Sequence, residues 1–437
     1  MWAPTLPPAA RAQLPSPFAW KVAAAGVVGG VIGAAYLAAL MVIEHLLGPE
    51  AWSPVPHIVV LAAVGATVAL IVRVLGPTRN VELLVDDIHV MGGTREVRSL
   101  RSLLPISLLC VGSGGTLGPE APLVQATGAV GGWLATRWGL DRRHLRVLTI
   151  TGMAAGFTAL FGSPIGAAVF ALEIPHRRGL EYADALMPAF VGSIAGYAVY
   201  VVATGSGLEP IFDLPGIDSI TLADLGWSVA AGVASAVVAY AFTAGVRALR
   251  WVTTRLPTAA RPVLGGLGLG LLALVDRHAL TNGEAALHDL LVAKVAAGTL
   301  LVAAGVKLAG AVVAVAGEWR GGFIIPLFFV GATLGAAAHV QLPGTNKWVL
   351  VTTMMVGCNA AVTKTPLGST LVVTEMAGVR LLPTALIAAL VALALTGPIR
   401  LIESQRRRDE TADRGDADAQ LGPEPAPDIA PGPLGAP

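Results

Sequence analysis

The chain has 437 residues and a formal net charge of +1, with 54% hydrophobic and only 13% charged residues. Soluble domains carry about 25% charged residues, so this composition excludes an ordinary soluble protein. The mean hydropathy of +0.71 points to a membrane protein. The near-zero net charge argues against a nucleic-acid partner, which would require a clustered basic face.

The two ends of the chain are more polar than its middle. Arg11 and Lys21 precede the first apolar run, and Arg406 and Arg408 follow the last, which predicts cytoplasmic termini. We interpret residues 1–17 as a cytoplasmic segment, 18–405 as a membrane transport domain and 406–437 as a disordered cytoplasmic tail. The first apolar run is too long for a signal peptide, so it is predicted to be a retained helix of the plasma membrane.

Uncharged runs recur between these ends, and about 20 apolar residues suffice to cross a bilayer as an α-helix. Seven runs reach roughly that length: 22–43, 51–72, 147–172, 185–208, 225–246, 321–346 and 381–399. A β-barrel would instead show short segments of alternating hydrophobicity. The sequence therefore predicts an all-α, polytopic membrane protein.

Neither a metal site nor a disulfide is predicted. Cys110 and Cys358 lie in apolar stretches without a CxxC or Cys-His spacing, and no pair of histidines has ligand spacing. We expect no cofactor.

Two motifs occur twice in the same order. "GPEAPLVQATGAVG" at 118–131 aligns with "GFIIPLFFVGATLG" at 322–335, an offset of 204 (322 − 118). "SPIGAAVFALEI" at 163–174 aligns with "TPLGSTLVVTEM" at 365–376, an offset of 202 (365 − 163). Small and apolar residues match by chance in any membrane protein, but the paired Pro, Gly and Glu spacing predicts a duplication.

The duplication divides the membrane domain into two halves, about 18–205 and 222–405. Transporters with such repeats often place their substrate at the interface of the halves, between helices broken within the membrane. The residues alone leave open whether the halves are parallel or inverted.

The first motif pair predicts two helix starts inside the membrane. Gly118 and Gly322 permit a backbone turn, and the proline four residues later suits the first turn of a helix. A helix start presents free N–H groups and the positive end of the helix dipole, so two such starts would form an anion site. No Lys or Arg is needed there, and a fixed cation would hold an anion too tightly to release it.

Glu120 is the only charged residue in 102–136. Its carboxylate could occupy the anion site as an internal ligand, yield to a mobile anion, or take up a proton and swing away. The plainer interpretation is a first-turn acid that only caps its helix. Ile324 occupies the matching position in the second motif, and this asymmetry favours a specialised role, as expected of an acid within a membrane.

Other charged residues of the apolar segments receive plainer interpretations. Glu173 and Glu375 end both copies of the second motif, which favours a shared structural role. Five more charges interrupt the second half: Lys294, Lys307, Glu318, Arg320 and Lys364. The sequence leaves open whether they pair with one another or line an aqueous vestibule.

Taken in order over 18–405, the four motif copies resemble those of the CLC chloride channels and chloride–proton exchangers. The resemblance implies an inverted-repeat fold of some eighteen helices and a homodimer with one pore per subunit. It places Glu120 at the position of the gating glutamate. It implies anion binding, mainly through backbone N–H groups, by Gly118, Glu120, Ala121, Gly322, Phe323, Ile324 and Ile325.

The chain departs from the family pattern at three places. The family's internal proton-transfer glutamate is replaced by Ile174. The family's anion-binding serine is missing from the region of Thr78, Arg79 and Asn80. The family tyrosine is missing near the last helix, where Ile399 and Arg400 stand. These losses predict an altered inner gate and argue against the usual route of proton coupling.

We therefore expect transport of chloride or a similar small anion, with a preference for passive conduction and proton-coupled antiport as the alternative. A membrane enzyme acting on anionic lipid head groups would need a nucleophile, base or metal cluster, and none is visible. A cation carrier would show clustered carboxylates in the membrane. A scaffold without transport would not require the matched helix starts.

Overall fold

The computed structural model describes residues 18–78, 81–94, 97–176, 183–205, 212, 214–399, 401–402 and 405. Within these ranges the chain forms sixteen α-helices and no β-strand. The first eight are α1 (Ala19–Leu47), α2 (Pro54–Leu75), α3 (Val81–Val90), α4 (Leu100–Gly112), α5 (Glu120–Arg137), α6 (Arg142–Phe161), α7 (Pro164–Glu173) and α8 (Leu186–Thr204). The others are α9 (Leu222–Thr253), α10 (Ala260–Val275), α11 (Glu284–Val292), α12 (Ala297–Ala316), α13 (Ile324–Gln341), α14 (Lys347–Thr363), α15 (Pro366–Ala377) and α16 (Leu382–Leu395).

These helices fall into two sets of eight that follow the same order. The long helices α1 and α9 open the two sets, with 29 and 32 residues. Helices α5 and α13 begin 204 residues apart (324 − 120), and α7 and α15 begin 202 apart (366 − 164). A duplication would produce this order, while the exact domain boundaries stay a prediction.

Seven of the described helices are long and apolar enough to cross a membrane: α1, α2, α6, α8, α9, α12 and α13.

Two of the spans expected from the sequence need correction. The run 147–172 is not one span, because α6 ends at Phe161, Gly162 turns with φ of 65° and Pro164 starts α7. Helix α12 was missed because Lys307 interrupts its apolar sequence, although Lys307 is buried.

The third correction concerns the run 381–399. It contains only α16, whose 14 residues are fewer than the roughly 20 that a full span requires. Short helices of this kind are typical of a bundle in which several segments cross the membrane only in part.

Small residues let the helices of each half pack closely, as is usual within membranes. A Cβ atom added at Gly131 of α5 would lie 2.2 Å from the Leu148 carbonyl of α6. A Cβ atom at Gly335 of α13 would lie 2.4 Å from the Leu350 carbonyl of α14. In both halves, therefore, a glycine lets the helix (α5 or α13) pack closely against the backbone of the helix that follows it.

A glutamate side chain from each half also caps the start of a helix in the other half. Glu173, at the end of α7, accepts hydrogen bonds from the N–H groups of Leu367 and Gly368 at the start of α15 (3.2 and 2.6 Å). Glu375 of α15 accepts from Ile165 and Gly166 of α7 (3.2 and 2.8 Å). Reciprocal contacts of this kind are what a two-fold axis generates. The shared structural role expected for the two glutamates is confirmed.

Candidate functional site

The two predicted helix starts meet inside the bundle. Helix α5 begins at Glu120 and α13 at Ile324. The residues just before them are joined by two hydrogen bonds: the N–H of Gly118 donates to the Gly322 carbonyl (2.8 Å), and the N–H of Gly322 to the Gly118 carbonyl (2.6 Å). This short antiparallel bridge fixes the two starts next to each other, as the repeated motif predicted.

The turn leading into α5 is anchored on the second half of the chain. Gly114 adopts φ of +96°, a left-handed conformation that favours glycine. Its carbonyl accepts a hydrogen bond from the N–H of Thr281 (2.8 Å), and the Thr116 hydroxyl donates to the Ala279 carbonyl (2.6 Å). Contacts across the two halves thus set the position of Glu120.

The Glu120 side chain is fully buried and turns back onto the start of the opposite helix. Its Oε1 accepts a hydrogen bond from the N–H of Ile325 in the first turn of α13 (2.5 Å). Its Oε2 is buried and has no hydrogen-bond partner in the described part of the chain. The carboxylate therefore occupies a position suited to an anion while only one of its oxygens is bound.

Two glycines make room for this carboxylate. A Cβ atom added at Gly118 would lie 2.2 Å from Glu120 Oε2, and one at Gly322 would lie 2.5 Å from the same oxygen. Any larger residue at either position would meet the carboxylate in its present place. The glycines therefore serve close approach to an anionic group, in addition to the turn that the sequence indicated.

The other residues assigned to anion binding divide into two groups. The N–H groups of Gly118 and Gly322 donate to each other's carbonyls, so these glycines join the two helix starts, and their part in anion binding stays a prediction. Ala121, Phe323 and Ile324 lie at or beside the helix starts, where N–H groups lack an intrahelical acceptor.

The positions at which the chain departs from the family pattern are only partly described. Ile174 is buried in the main apolar cluster, and its carbonyl accepts a hydrogen bond from Gln405 (2.8 Å). The Thr78 hydroxyl is buried without a partner in the described ranges, and Ile399 packs in a second apolar cluster with Leu117. The expectations for Arg79, Asn80 and Arg400 fall outside the described residues, as do those for 1–17 and 406–437.

Three of the interrupting charges of the second half prove to be bound by protein groups. Lys307 donates to the carbonyls of Leu280 and Thr281 (2.6 and 2.8 Å). Lys364 donates to the carbonyls of Ala361 and Thr396 (2.6 and 2.7 Å). Glu318 forms an ion pair with Arg261 (2.6 Å). These residues therefore stabilise loops and helix ends, a plainer role than lining a vestibule.

Arg320, in contrast, lines a cavity of about 100 Å³ beside the two helix starts. Gln125 of α5 and Arg250 near the end of α9 line it as well. Sequence reasoning did not assign these three residues. The one available signal was that Arg320 directly precedes the Gly-Gly pair of the second motif.

The described residues contain no group of three or more His, Cys, Asp or Glu side chains that could hold a metal ion. The groups that the structure places at the site are hydrogen-bond donors, one carboxylate and the nearby guanidinium groups.

Comparison with known proteins agrees with this geometry. A family model described as voltage gated chloride channel matches residues 81–397. The chain belongs to the voltage-gated chloride channel family. A ClcB-like chloride channel protein of Ralstonia nicotianae is 31% identical over 316 residues, which cover 69% of this chain and 72% of that protein. A chloride/fluoride channel protein of Pseudomonas syringae pv. tomato is 26% identical and covers 88% of this chain and 86% of its own length.

Solved structures give the same fold. A slow cyanobacterial Cl⁻/H⁺ antiporter superimposes with a TM-score of 0.76 at 21% identity, covering 90% of this chain and 96% of the antiporter. A CLC-type fluoride/proton antiporter superimposes with a TM-score of 0.75 at 21% identity, covering 89% and 98%. The predictions of an all-α membrane protein and of the CLC family are therefore confirmed.

Proposed function

We propose that this chain moves chloride or a similar small anion across the membrane along a path that the Glu120 carboxylate closes. The observation that carries the proposal is the hydrogen bond from the Ile325 N–H to Glu120 Oε1, next to the Gly118–Gly322 bridge. A carboxylate held by a helix start occupies a place where a mobile anion would also be favoured. Displacing or protonating Glu120 would free the Ile325 N–H for the transported ion.

Passive conduction is the mode that we favour. Ile174, at the position of the family's internal proton-transfer glutamate, is apolar and packs among apolar side chains, so it offers no protonatable group. The two relatives compared by sequence carry channel names. If the anion crosses without an accompanying proton movement, no proton-carrying residue other than Glu120 is required.

Proton-coupled antiport is the alternative, and one observation supports it. Glu120 is fully buried with one oxygen lacking a donor among the described residues, an arrangement that can accept a proton when the side chain moves. The two structural neighbours are named as antiporters, although their low identity speaks only for the fold.

The arrangement in the cell is proposed from the charges and the family. Four arginines flank the turn between α9 and α10, Arg247, Arg250, Arg255 and Arg261. We propose from this positive charge that the turn, like both termini, lies in the cytoplasm. We propose the plasma membrane as the location and a homodimer with one path in each subunit as the assembly. Chemical cross-linking in intact membranes should yield a dimer band.

Anion efflux from liposomes loaded with potassium chloride, with simultaneous pH recording, tests the proposal. We expect the unmodified protein to release chloride at a rate that depends on pH, and Glu120→Gln to release it with this dependence lost. Chloride-driven proton movement against a gradient would replace the channel with the antiporter. Absence of flux for chloride, bromide, nitrate and fluoride would overturn anion transport altogether.

A further inference from the structure

A buried lysine lies among the contacts that hold the two helix starts. Lys307 of α12 is fully buried, and its ammonium donates to the carbonyls of Leu280 and Thr281 (2.6 and 2.8 Å). It also lies over the Phe329 ring, 4.9 Å from the ring centroid. A buried charge is costly unless polar partners or an aromatic face compensate it. Here the protein supplies both, so the lysine holds backbone and side chain of other segments in place.

The two carbonyls belong to residues 276–283, which connect α10 to α11 and which we call the strap. Thr281 in the strap has φ of 56°, a left-handed conformation that β-branched residues rarely adopt. Such strain persists only where the surrounding contacts fix it. The N–H of Thr281 donates to the Gly114 carbonyl (2.8 Å), and its carbonyl accepts from Lys307. The strained residue is therefore held from both sides.

The strap contacts the elements that carry both helix starts. On one side, its Ala279 carbonyl accepts from the Thr116 hydroxyl in the turn before α5 (2.6 Å). On the other, a Cβ atom added at Gly283 would lie 2.5 Å from the Phe329 ring, and Phe329 lies one turn after Ile325 on α13. A shift of the strap would thus move the turn before α5 and the first turns of α13.

The titratable groups around these contacts act in opposite directions. Asp276 is the first residue of the strap and attracts Lys307, which adds to the two hydrogen bonds. Glu284, at the start of α11, repels the Glu120 carboxylate, and Tyr36 of α1 is close enough to interact with it. A carboxylate repelled by its neighbour requires a firmly placed donor to stay bound.

We propose that Lys307 is a positioning residue for the Glu120 gate. By fixing the strap, it keeps the Gly118–Gly322 bridge and the Ile325 N–H where the carboxylate is bound, without contacting the transported anion. If the ammonium were removed, two buried carbonyls would lack their donor, so the strap would shift and the helix starts with it. The hydrogen bond from Ile325 would then lengthen and weaken. This inference rests on the proposed function.

The test records chloride efflux from liposomes between acid and neutral pH. Lys307→Met keeps an unbranched side chain and removes its charge. We expect its efflux at neutral pH to rise about fivefold, the factor that one lost hydrogen bond represents. In acid, where protonation already releases Glu120, the rate should stay within about twofold of the unmodified protein. Lys307→Arg keeps a cation with several donors and should recover most of the pH dependence.

Lys347→Met is the matched control. Lys347 also donates to a carbonyl, that of Leu291, and lies over an aromatic ring, that of Trp348 (5.0 Å). These partners lie outside the strap. The control therefore removes the same kind of charge with the same kinds of partner, and its efflux at acid and neutral pH should equal that of the unmodified protein.

A double-mutant cycle shows whether the effect passes through the gate. In a Glu120→Gln background, Lys307→Met should change efflux at neutral pH by less than about twofold. If Lys307→Met does not elute as a folded protein, the nearly isosteric Thr116→Val removes the hydroxyl that binds Ala279. It should raise efflux at neutral pH in the same direction and by a smaller factor.

Hydrogen exchange of backbone amides gives a measurement that does not depend on flux. In Lys307→Met, peptides covering residues 113–118 and 322–325 should exchange faster than in the unmodified protein. Lys347→Met should leave their exchange unchanged.

Conducting Lys307→Met and Thr116→Val proteins with an unaltered pH dependence would overturn the positioning role and leave anion transport standing. The same conclusion would follow if Lys307→Met raised efflux equally with and without the Glu120 carboxylate. Absence of anion flux from the unmodified protein would instead overturn the proposed function, and the positioning role with it. The two failures are therefore distinguishable.

Discussion

Among the residues that the structure describes, three buried or partly buried glutamates accept hydrogen bonds from helix starts, and they do so in two different ways. Glu173 and Glu375 each bind two N–H groups of the opposite half, one at each carboxylate oxygen. Glu120 binds a single N–H through Oε1, and its Oε2 has no partner in the described residues. The first pair is symmetric, whereas Ile324 stands where a partner of Glu120 would be.

This difference separates fixed structure from a movable group. A carboxylate with both oxygens bound at a helix start gains little by moving, because it would leave several N–H groups unpaired. A carboxylate bound through one oxygen, in a space kept open by two glycines, loses one hydrogen bond when it moves. The same residue type therefore serves as a cap at two positions and, in our proposal, as a gate at the third.

The largest expected effect concerns the fixed caps. Glu173→Ala removes the acceptor of the Leu367 and Gly368 N–H groups, and each buried donor left unpaired costs roughly 1–3 kcal/mol. We expect a loss of about 2–3 kcal/mol in stability, measured as a lower midpoint of thermal unfolding by size-exclusion chromatography of heated samples. Glu120→Gln should leave this midpoint unchanged or raise it. Equal destabilisation by both substitutions would abolish the distinction between cap and gate.

An intermediate effect is expected where the carboxylate and the glycines meet. In Gly118→Ala the new Cβ atom would lie 2.2 Å from Glu120 Oε2, so the side chain must leave the Ile325 N–H. We expect the ratio of chloride efflux at low and neutral pH to move several-fold toward one. In a Glu120→Gln background the same change should have no further effect, as a double-mutant cycle would show.

The control for this substitution is Gly305→Ala in α12, since a Cβ atom there would meet nothing within 4 Å. Its pH ratio should equal that of the unmodified protein. If Gly118→Ala changed the ratio equally in both backgrounds, its effect would not pass through Glu120, and the proposed gate would lose its main support.

The smallest effect is expected at an exposed cap outside the membrane-spanning segments. The Asp141 carboxylate accepts from the N–H of His144 at the start of α6 (2.8 Å), and this hydrogen bond lowers its pKa. Asp141→Ala should cost about 0.5–1 kcal/mol at neutral pH.

The sign of the pH dependence at Asp141 follows from the lowered pKa. Its contribution is complete above the unfolded value of roughly 3.9 and is lost as pH falls through the lower pKa of the folded protein. Unfolding midpoints of the two proteins should therefore converge in strong acid. A difference that persisted at low pH would show that Asp141 acts through packing and not through its charge.

Sequence reasoning succeeded where a residue type has only a few physical uses. The Gly-x-x-x-Pro spacing predicted both helix starts. Glu120 was noticed because it is the only charged residue in 102–136. Sequence reasoning failed to predict α12, because Lys307 was taken as a charge that ends an apolar run. In the structure Lys307 lies within this spanning helix and donates to two carbonyls. The same reasoning also did not divide the run 147–172, because Gly and Pro are tolerated within membrane helices although they often end a helix.

The sequence by itself determined the membrane class, the repeated motifs and the identity of the one isolated carboxylate, because hydropathy and backbone restrictions are local properties. Only the tertiary structure decided that Gly118 and Gly322 bind each other, that Glu120 binds the opposite helix through one oxygen, and that Arg320 faces a cavity with Arg250. Each of these facts joins residues from distant parts of the chain. Which N–H group meets which acceptor depends on how the helices pack, and no local pattern contains that information.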